Sequence, residues 1–454
     1  RPQLLNWLDD QRGEWSAQTG ASVEIVAQSG TDPTSPQEGL AGSALAQSTM
    51  PAGDIVIFPS TSMGNAVASA MATKIPTEVL DTTAYEIRDM ASSAEFLMTW
   101  DRMTYALPLS VETQLIYYRT DVFANEEIRE QFQSKHGRPL VPPQTWDEFD
   151  QIVKFFDGSD FDGDGTSDHS LAIANAGEAI ISRAAAYGKP PQNYSFYFDV
   201  TSMEPLADGP AFQLAMERWT DVAHCMANDR REDPQLAAFA AGRAVVALGS
   251  SRLAEQLLRS DGKDLAAKVA GKVGCLSNPG SSRVYLHDRK SWSELPADKL
   301  NRAAVINGLC AAVPRTSSHS AVAFDFLMFL TNRERSLSSV TITTNGFGPY
   351  RHSHLIDSAA WVAGGWPAAG VPSYLSAMRE SLNQPNAVAI LRIDGSDAFH
   401  QSLDIEASAA LRGEKSAADA LAAVAESWRK ICNERGKDRV RRQYRYSLGL
   451  PVVN

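Results

Sequence analysis

The stretch from Ala303 to Asn332, AAVINGLCAAVPRTSSHSAVAFDFLMFLTN, constrains the chain more than any other. Val305 to Val313 is an apolar run broken at Asn307-Gly308, and it has the length of a buried strand. Pro314 to Ser320 is a turn in which Ser317, Ser318 or Ser320 is placed to accept from the first free helical N–H groups. Ala321 to Leu330 is apolar on almost every face, through Phe324, Phe326, Leu327, Met328 and Phe329. A helix buried on several sides is expected there. Strand, turn and buried helix make half of a βαβ unit, which predicts the α/β class and a parallel sheet. Gly308 marks either a bulge or packing contact, or a place where a ligand or a second backbone comes close.

At 454 residues the chain is too long for one ordinary core, so two or three lobes are expected. A net charge of −12 argues against nucleic acid or an anionic membrane as the main partner, since both need a basic surface. No run of about 18 apolar residues is present, as a membrane-spanning helix would require. The chain opens at Arg1 without a charged-then-apolar leader, so any signal peptide is expected to have been removed. Cys225, Cys275, Cys310 and Cys432 are far apart and lack the CxxC spacing of a zinc site.

Along the chain, Leu4, Leu5, Leu8 and Trp15 recur at helical spacing, with Gly20 as a C-cap. Val23 to Val26 reads as a strand, Ala41 to Ser48 as a helix, and Asp54 to Phe58 as a central parallel strand ended by Pro59. Thr145 and Glu148 form a capping box, with Pro143 and Trp146 bracing the start of that helix. Asp160, Asp162, Asp164 and Asp168 stand at relative positions 1, 3, 5 and 9, with Gly165 at 6 and the Thr166 carbonyl at 7. That is the first part of an EF-hand loop, but Leu171 replaces the bidentate acid at position 12. A structural calcium ion is one reading of this loop, and a solvated acidic turn is the other. Trp361 to Pro367 sets two tryptophans in a Gly-rich loop, suited to stacking on a sugar face or to a hydrophobic clasp. Ser416 with Asp419 caps a late helix, and Arg439, Arg441, Arg442 and Arg445 form a basic run of the solvated kind.

Several of these segments together resemble the family 1 extracellular solute-binding proteins, the ligand receptors of ABC importers. The matches are the Ala303–Asn332 stretch, Tyr105 to Phe123 (YALPLSVETQLIYYRTDVF), Pro143 to Phe149 (PQTWDEF), the acidic loop, Phe239 to Ser250 (FAAGRAVVALGS), Val273 to Pro279 (VGCLSNP), Asn345 to Arg351 (NGFGPYR) and the pattern from Phe399 onward. The resemblance implies a type II periplasmic-binding-protein-like fold of two α/β lobes with a ligand cleft between them. Lobe one would be 1–110 with 275–335, and lobe two 111–274 with 336–454. Members usually begin with a strand before the first helix, and this chain starts on the helix. The implied function is capture of a small ligand, a sugar or oligosaccharide, for delivery to an importer permease, by a monomer that is periplasmic or extracellular, with or without a lipid anchor.

Open α/β lobes place ligands beyond strand ends, at crossings and on Gly-rich loops. On that ground Ser60, Glu112, Tyr118, Asn175, Ser250, Asn307, Arg351 and Trp366 are the candidate ligand residues. Glu112 also suits a solvated crossover, and Arg351 suits either a fork onto a polar ligand or an ion pair within the fold. The family's placement of Cys275 and Cys310 in or beside one sheet admits a disulfide, or two buried free thiols. No GxSxG, HExxH, Walker or GxGxxG context is present. Two other classes stay open: a glycoside hydrolase using a pair of cleft carboxylates, and a calcium-dependent glycan-binding module.

Overall fold

The computed structural model describes residues 2–26, 53–82, 85–160, 164–227, 236–258, 268–342 and 346–451. Among the described residues the main sheet has seven strands: β1 (Val56–Pro59), β2 (Leu107–Arg119), β3 (Leu171–Ile173), β4 (Val246–Ser250), β5 (Val273–Ser277), β6 (Ala304–Ala312) and β7 (Ala387–Ala389). The path runs β1-β6-β2-β4-β3, with β7 on β6 and β5 on β2.

One strand holds this sheet together. From Leu107 to Thr113, β2 pairs with β6, and from Gln114 onward it pairs with β4 and β5. A strand at the centre of two half-sheets has both faces covered, and every residue of β2 except half-buried Tyr118 is buried. Its side chains alternate. Leu115 and Tyr117 enter one hydrophobic core, and Ile116 enters the other. In β6, Ile306 and Val305 divide between the same two cores. The helix Ser320–Thr331 then sends Phe326, Leu327 and Leu330 inward. The first helix, Pro2–Thr19, covers it: Trp15 meets Phe326 at 5.0 Å and donates from Nε1 to Asp325 at 2.9 Å.

Gly308 resolves to the packing reading. A β-carbon there would stand 2.2 Å from the Ser110 carbonyl oxygen of β2. The pairing of β6 with β2 shifts register between Leu309 and Cys310, just past this close approach.

Local capping is largely as the residues dictate. Thr145 and Glu148 form the full capping box ahead of the buried face of Trp146–Phe156. Ser416 caps Ala417–Arg435, and Gly20 closes the first helix at φ +75°. The expected serine cap before Ser320 is not formed. Ser317 donates to Asp54 instead, tying the turn to the segment before β1.

Four expectations are corrected. The strand at 56–59 is neither central nor parallel: β1 pairs antiparallel with β6 and ends the sheet among the described residues. β6 is likewise antiparallel to β1 and β2 and parallel only to β7, because its partner β2 runs back through the sheet. Val23 to Val26 is assigned no strand, although Val23 and Ile25 pack their apolar side chains against the core. The helix expected at Ala41 to Ser48 lies outside the described residues. The Cys275–Cys310 bridge is excluded by register, since Cys275 faces Tyr117 and Cys310 faces Pro108 on the same strand. Nine residues of strand separate those levels by about 30 Å, against a limit near ~7 Å between bridged Cα atoms. All four cysteines are free and buried.

Candidate functional site

Where β2 changes partners, the sheet turns polar. Glu112 lies opposite Asn307 of β6, and Gln114 lies opposite Ser250 of β4. Glu112 and Gln114 are two residues apart, so the strand period puts them on one face. Over that face stands the N-terminus of the helix Ala176–Gly188 with Glu178. Glu112, Thr113, Gln114, Glu178, Ser250 and Asn307 line one small cavity, with Val305 and Ile390 as its apolar wall.

The contacts inside it are specific. Gln114 donates from Nε2 to Glu178. Ser250 Oγ lies 3.5 Å from Glu112 Oε2, and Arg252 Nε lies 3.5 Å from Glu112 Oε1. Tyr117 fixes the end of β4 by donating to the Ser250 carbonyl at 2.8 Å. Asn175 accepts from the Glu178 amide at 2.7 Å, and Asp404 accepts from the Gly177 amide at 3.0 Å. Burial, then the nearby Glu112 and Asp404 carboxylates, push the Glu178 carboxyl up to about 7. Two polar side chains here lack hydrogen-bond partners among the described residues although sealed from solvent. They are the Thr113 hydroxyl and both polar atoms of the Asn278 amide. Asn278 follows Ser277, which faces Leu115, and so emerges at the level of Gln114.

The cavity thus gathers Glu112, Ser250 and Asn307 from the sequence candidates. Two others border it. Asn175 is the cap that positions Glu178, and Ser60 is buried beneath β6, accepting from the Gly308 amide at 3.0 Å. The remaining three lie elsewhere. Tyr118 packs edge-on against Phe123 at 5.1 Å, its ring filling the space over Gly274. Arg351 is fully buried, donating to the carbonyls of Thr331, Tyr85 and Glu86 at 2.7–3.2 Å, with Asp89 at 3.6 Å. Its guanidinium is consumed by the fold, so the structural alternative holds. Trp366 stacks on Tyr374 at 4.9 Å beside Trp361, the hydrophobic clasp. It lines a separate shallow hollow with Phe347 and Arg252.

Glu178, Gln114, Thr113 and Asn278 were not among the candidates. Period two from Glu112 was sufficient to find Gln114, and the Asn175-x-x-Glu178 spacing marks a helix start with its acid at the third position. Nothing in the sequence distinguishes Asn278 from an ordinary turn residue.

The acidic loop forms the tight turn expected of it, with Gly165 at φ +83°. Asp160 accepts from the Gly165 amide at 3.0 Å and Asp164 from the Thr166 amide at 2.7 Å. Asp168 is buried and closes the loop base on Ser159 at 2.9 Å. Asp162 lies outside the described residues.

Solved structures resemble the chain over nearly its full length, at identities that speak for the fold alone. One is the cyclic alpha-maltosyl-1,6-maltose binding protein of Arthrobacter globiformis, 18% identical over 95% of this chain and 96% of that one, with a TM-score of 0.62. A second is the sugar-binding protein MalE of Xanthomonas citri, 14% identical over 94% of both chains, with a TM-score of 0.67. A third is an ABC transporter solute-binding protein of Agrobacterium vitis with bound D-mannitol, 16% identical over 95% and 96%, with a TM-score of 0.62. The fold is the two-lobe α/β architecture of periplasmic sugar-binding proteins. No curated protein sequence matches significantly. The sequence profile of the bacterial extracellular solute-binding proteins matches residues 14–363, and the chain belongs to that family.

Proposed function

We propose that the chain captures a polyhydroxylated solute, a sugar or sugar alcohol, in the cavity on β2 and hands it to the membrane subunits of an ABC importer. The observation that carries this reading is the row of carboxyl, amide and hydroxyl groups where β2 changes partners. These groups donate to and accept from ligand hydroxyls, and Ile390 and Val305 supply an apolar wall. The Asn278 amide, partnerless among the described residues and level with Gln114, is a further donor and acceptor that such a ligand would satisfy. Relatives of the same fold carry maltose-type sugars and D-mannitol in their structures, which supports the ligand class.

The motion follows from the strand. The lobes 1–110 with 275–335 and 111–274 with 336–454 close on the ligand by bending β2 near Thr113–Gln114 and the return crossing at Val273–Asn278. The protein works outside the cytoplasm, as a monomer. No helix among the described residues is long and apolar enough to cross a membrane.

Calorimetry against maltose, maltodextrins, mannitol and ribitol tests the ligand class. Binding by at least one of them is expected, weakened when Glu112 is changed to Ala. Small-angle scattering tests closure, and an unchanged radius at saturation counts against it. One observation favours a second reading, glycoside hydrolysis: Glu112 and Glu178 interact across one cavity, and Glu178 is biased toward its protonated form. Release of reducing ends from a bound oligosaccharide would establish that reading in place of reversible capture.

A further inference from the structure

Away from the cleft, three chain segments bring a thiol, two imidazoles and a carboxylate together. Asp157 is the C-cap of the helix Trp146–Phe156. His224 and Cys225 belong to the single turn Ala223–Cys225 that follows the helix Pro210–Asp221. A carboxylate oxygen of Asp157, a ring nitrogen of His224 and the Cys225 sulfur all lie within 4.8 Å of one another. From the segment before β3, His169 presents Nδ1 at 3.6 Å from Asp157 Oδ1. That oxygen is sealed from solvent, and no N–H or O–H of the described residues donates to it.

We propose that Asp157, His169, His224 and Cys225 form a tetrahedral site for a thiophilic divalent cation of the zinc type. The chemistry of the set points there. Thiolate, imidazole and carboxylate are the ligands zinc takes, at about 2.0–2.3 Å. A harder cation such as calcium requires six or more oxygens. Ligand atoms around such an ion stand ~3.3–3.8 Å apart, so the cluster closes by roughly an ångström. His224 is exposed and the His169 side chain is 48% exposed, so both rings are free to turn inward. Cys225 is completely buried and anchors the group. Binding converts the thiol to a metal-bound thiolate and releases its proton, so affinity rises with pH. The sequence hides the site because its ligands come from positions 157, 169 and 224–225, with no CxxC or HxxxH spacing. The bound ion would tie the end of one helix, the foot of the acidic loop and the turn after a second helix.

The test uses reduced, chelator-treated full chain and adds zinc(II) or cobalt(II) alone. One equivalent of zinc is expected to bind and raise the melting temperature. Cobalt is expected to show a sulfur-to-metal charge-transfer band, lost in Cys225→Ser. His224→Ala, at an exposed position, should fold normally and bind zinc at least about tenfold more weakly. Millimolar calcium should not displace the cobalt. Absence of stoichiometric binding, a cobalt spectrum without the charge-transfer band, or equal affinity in wild type and His224→Ala overturns the site.

Discussion

Arg351 and the polar row on β2 are both buried and both lie where strand or loop ends suggest a binding site, yet they are built to opposite ends. Arg351 has its donors directed to three backbone carbonyls and a carboxylate of its own chain. Beside the β2 row the Asn278 amide is without partners among the described residues, and the Glu178 carboxyl is held against its ionisation. A buried polar group whose bonds are complete contributes to the fold, and one whose bonds are incomplete costs stability until a ligand completes them. Burial and residue type alone do not separate the two cases.

The sharpest way to break this contrast is Arg351→Ala. Removing one partner of a buried charge network costs about 3–5 kcal/mol, so urea denaturation should show a loss of that order. The folded fraction should keep the wild-type affinity for its saccharide. Normal stability with lost binding would move Arg351 into the cleft.

Next is Glu178. Its carboxyl rises from 4.5 to about 7 on folding, chiefly through burial. The folded state therefore binds this proton more tightly than the unfolded state. The resulting stability is full below about pH 4.5 and is lost as pH rises through about 7. At ~1.4 kcal/mol per tenfold in proton affinity, the change is about 3 kcal/mol. Glu178→Gln should remove that slope from the stability profile relative to wild type. Parallel profiles would mean that Glu178 is solvated and the cavity open.

Asn278 gives a smaller and opposite signature to Arg351. Asn278→Leu removes a desolvated amide, so stability should hold or rise by about 1 kcal/mol. Saccharide affinity should fall by roughly tenfold, close to 1.4 kcal/mol. A drop in melting temperature together with unchanged affinity would reassign Asn278 to the fold.

The acidic loop stands between the two regions, since Asp160 and Asp164 already accept amides of their own turn. If these carboxylates also hold calcium, adding it to chelated protein should raise melting by a few degrees, through mass action of about 1–3 kcal/mol. Asp164→Ala should abolish the rise. Equal melting with calcium and with chelator would leave the loop a self-capped turn.

Much of this was legible in the residues. The strand at Ala304–Ala312, the capping box at Thr145 and the buried role of Trp146 follow from period, cap chemistry and apolar runs. Strand direction was not legible. An apolar run such as Val56 to Phe58 reads the same whether its neighbour runs with it or against it, and the neighbour is about 250 residues away. The loop candidates failed for a related reason. Arg351 and Trp366 have the composition of ligand contacts, but whether Thr331, Tyr85 and Tyr374 already occupy them depends on tertiary contacts. The partnerless state of Asn278 is a property of what surrounds it, which no local pattern encodes.

The continuity of β2 bears on how such a receptor can change its diet. Its ladder is held by main-chain groups, and its odd-numbered side chains around the crossing, Leu115 and Tyr117, are committed to the interior. Glu112 and Gln114, which face the cavity, take no part in that commitment. Under the proposed function, one set of positions would be free to drift toward a new nutrient while the adjacent set kept the mechanical linkage intact. A single thirteen-residue segment carries both a vocabulary and a spring, written on alternate letters.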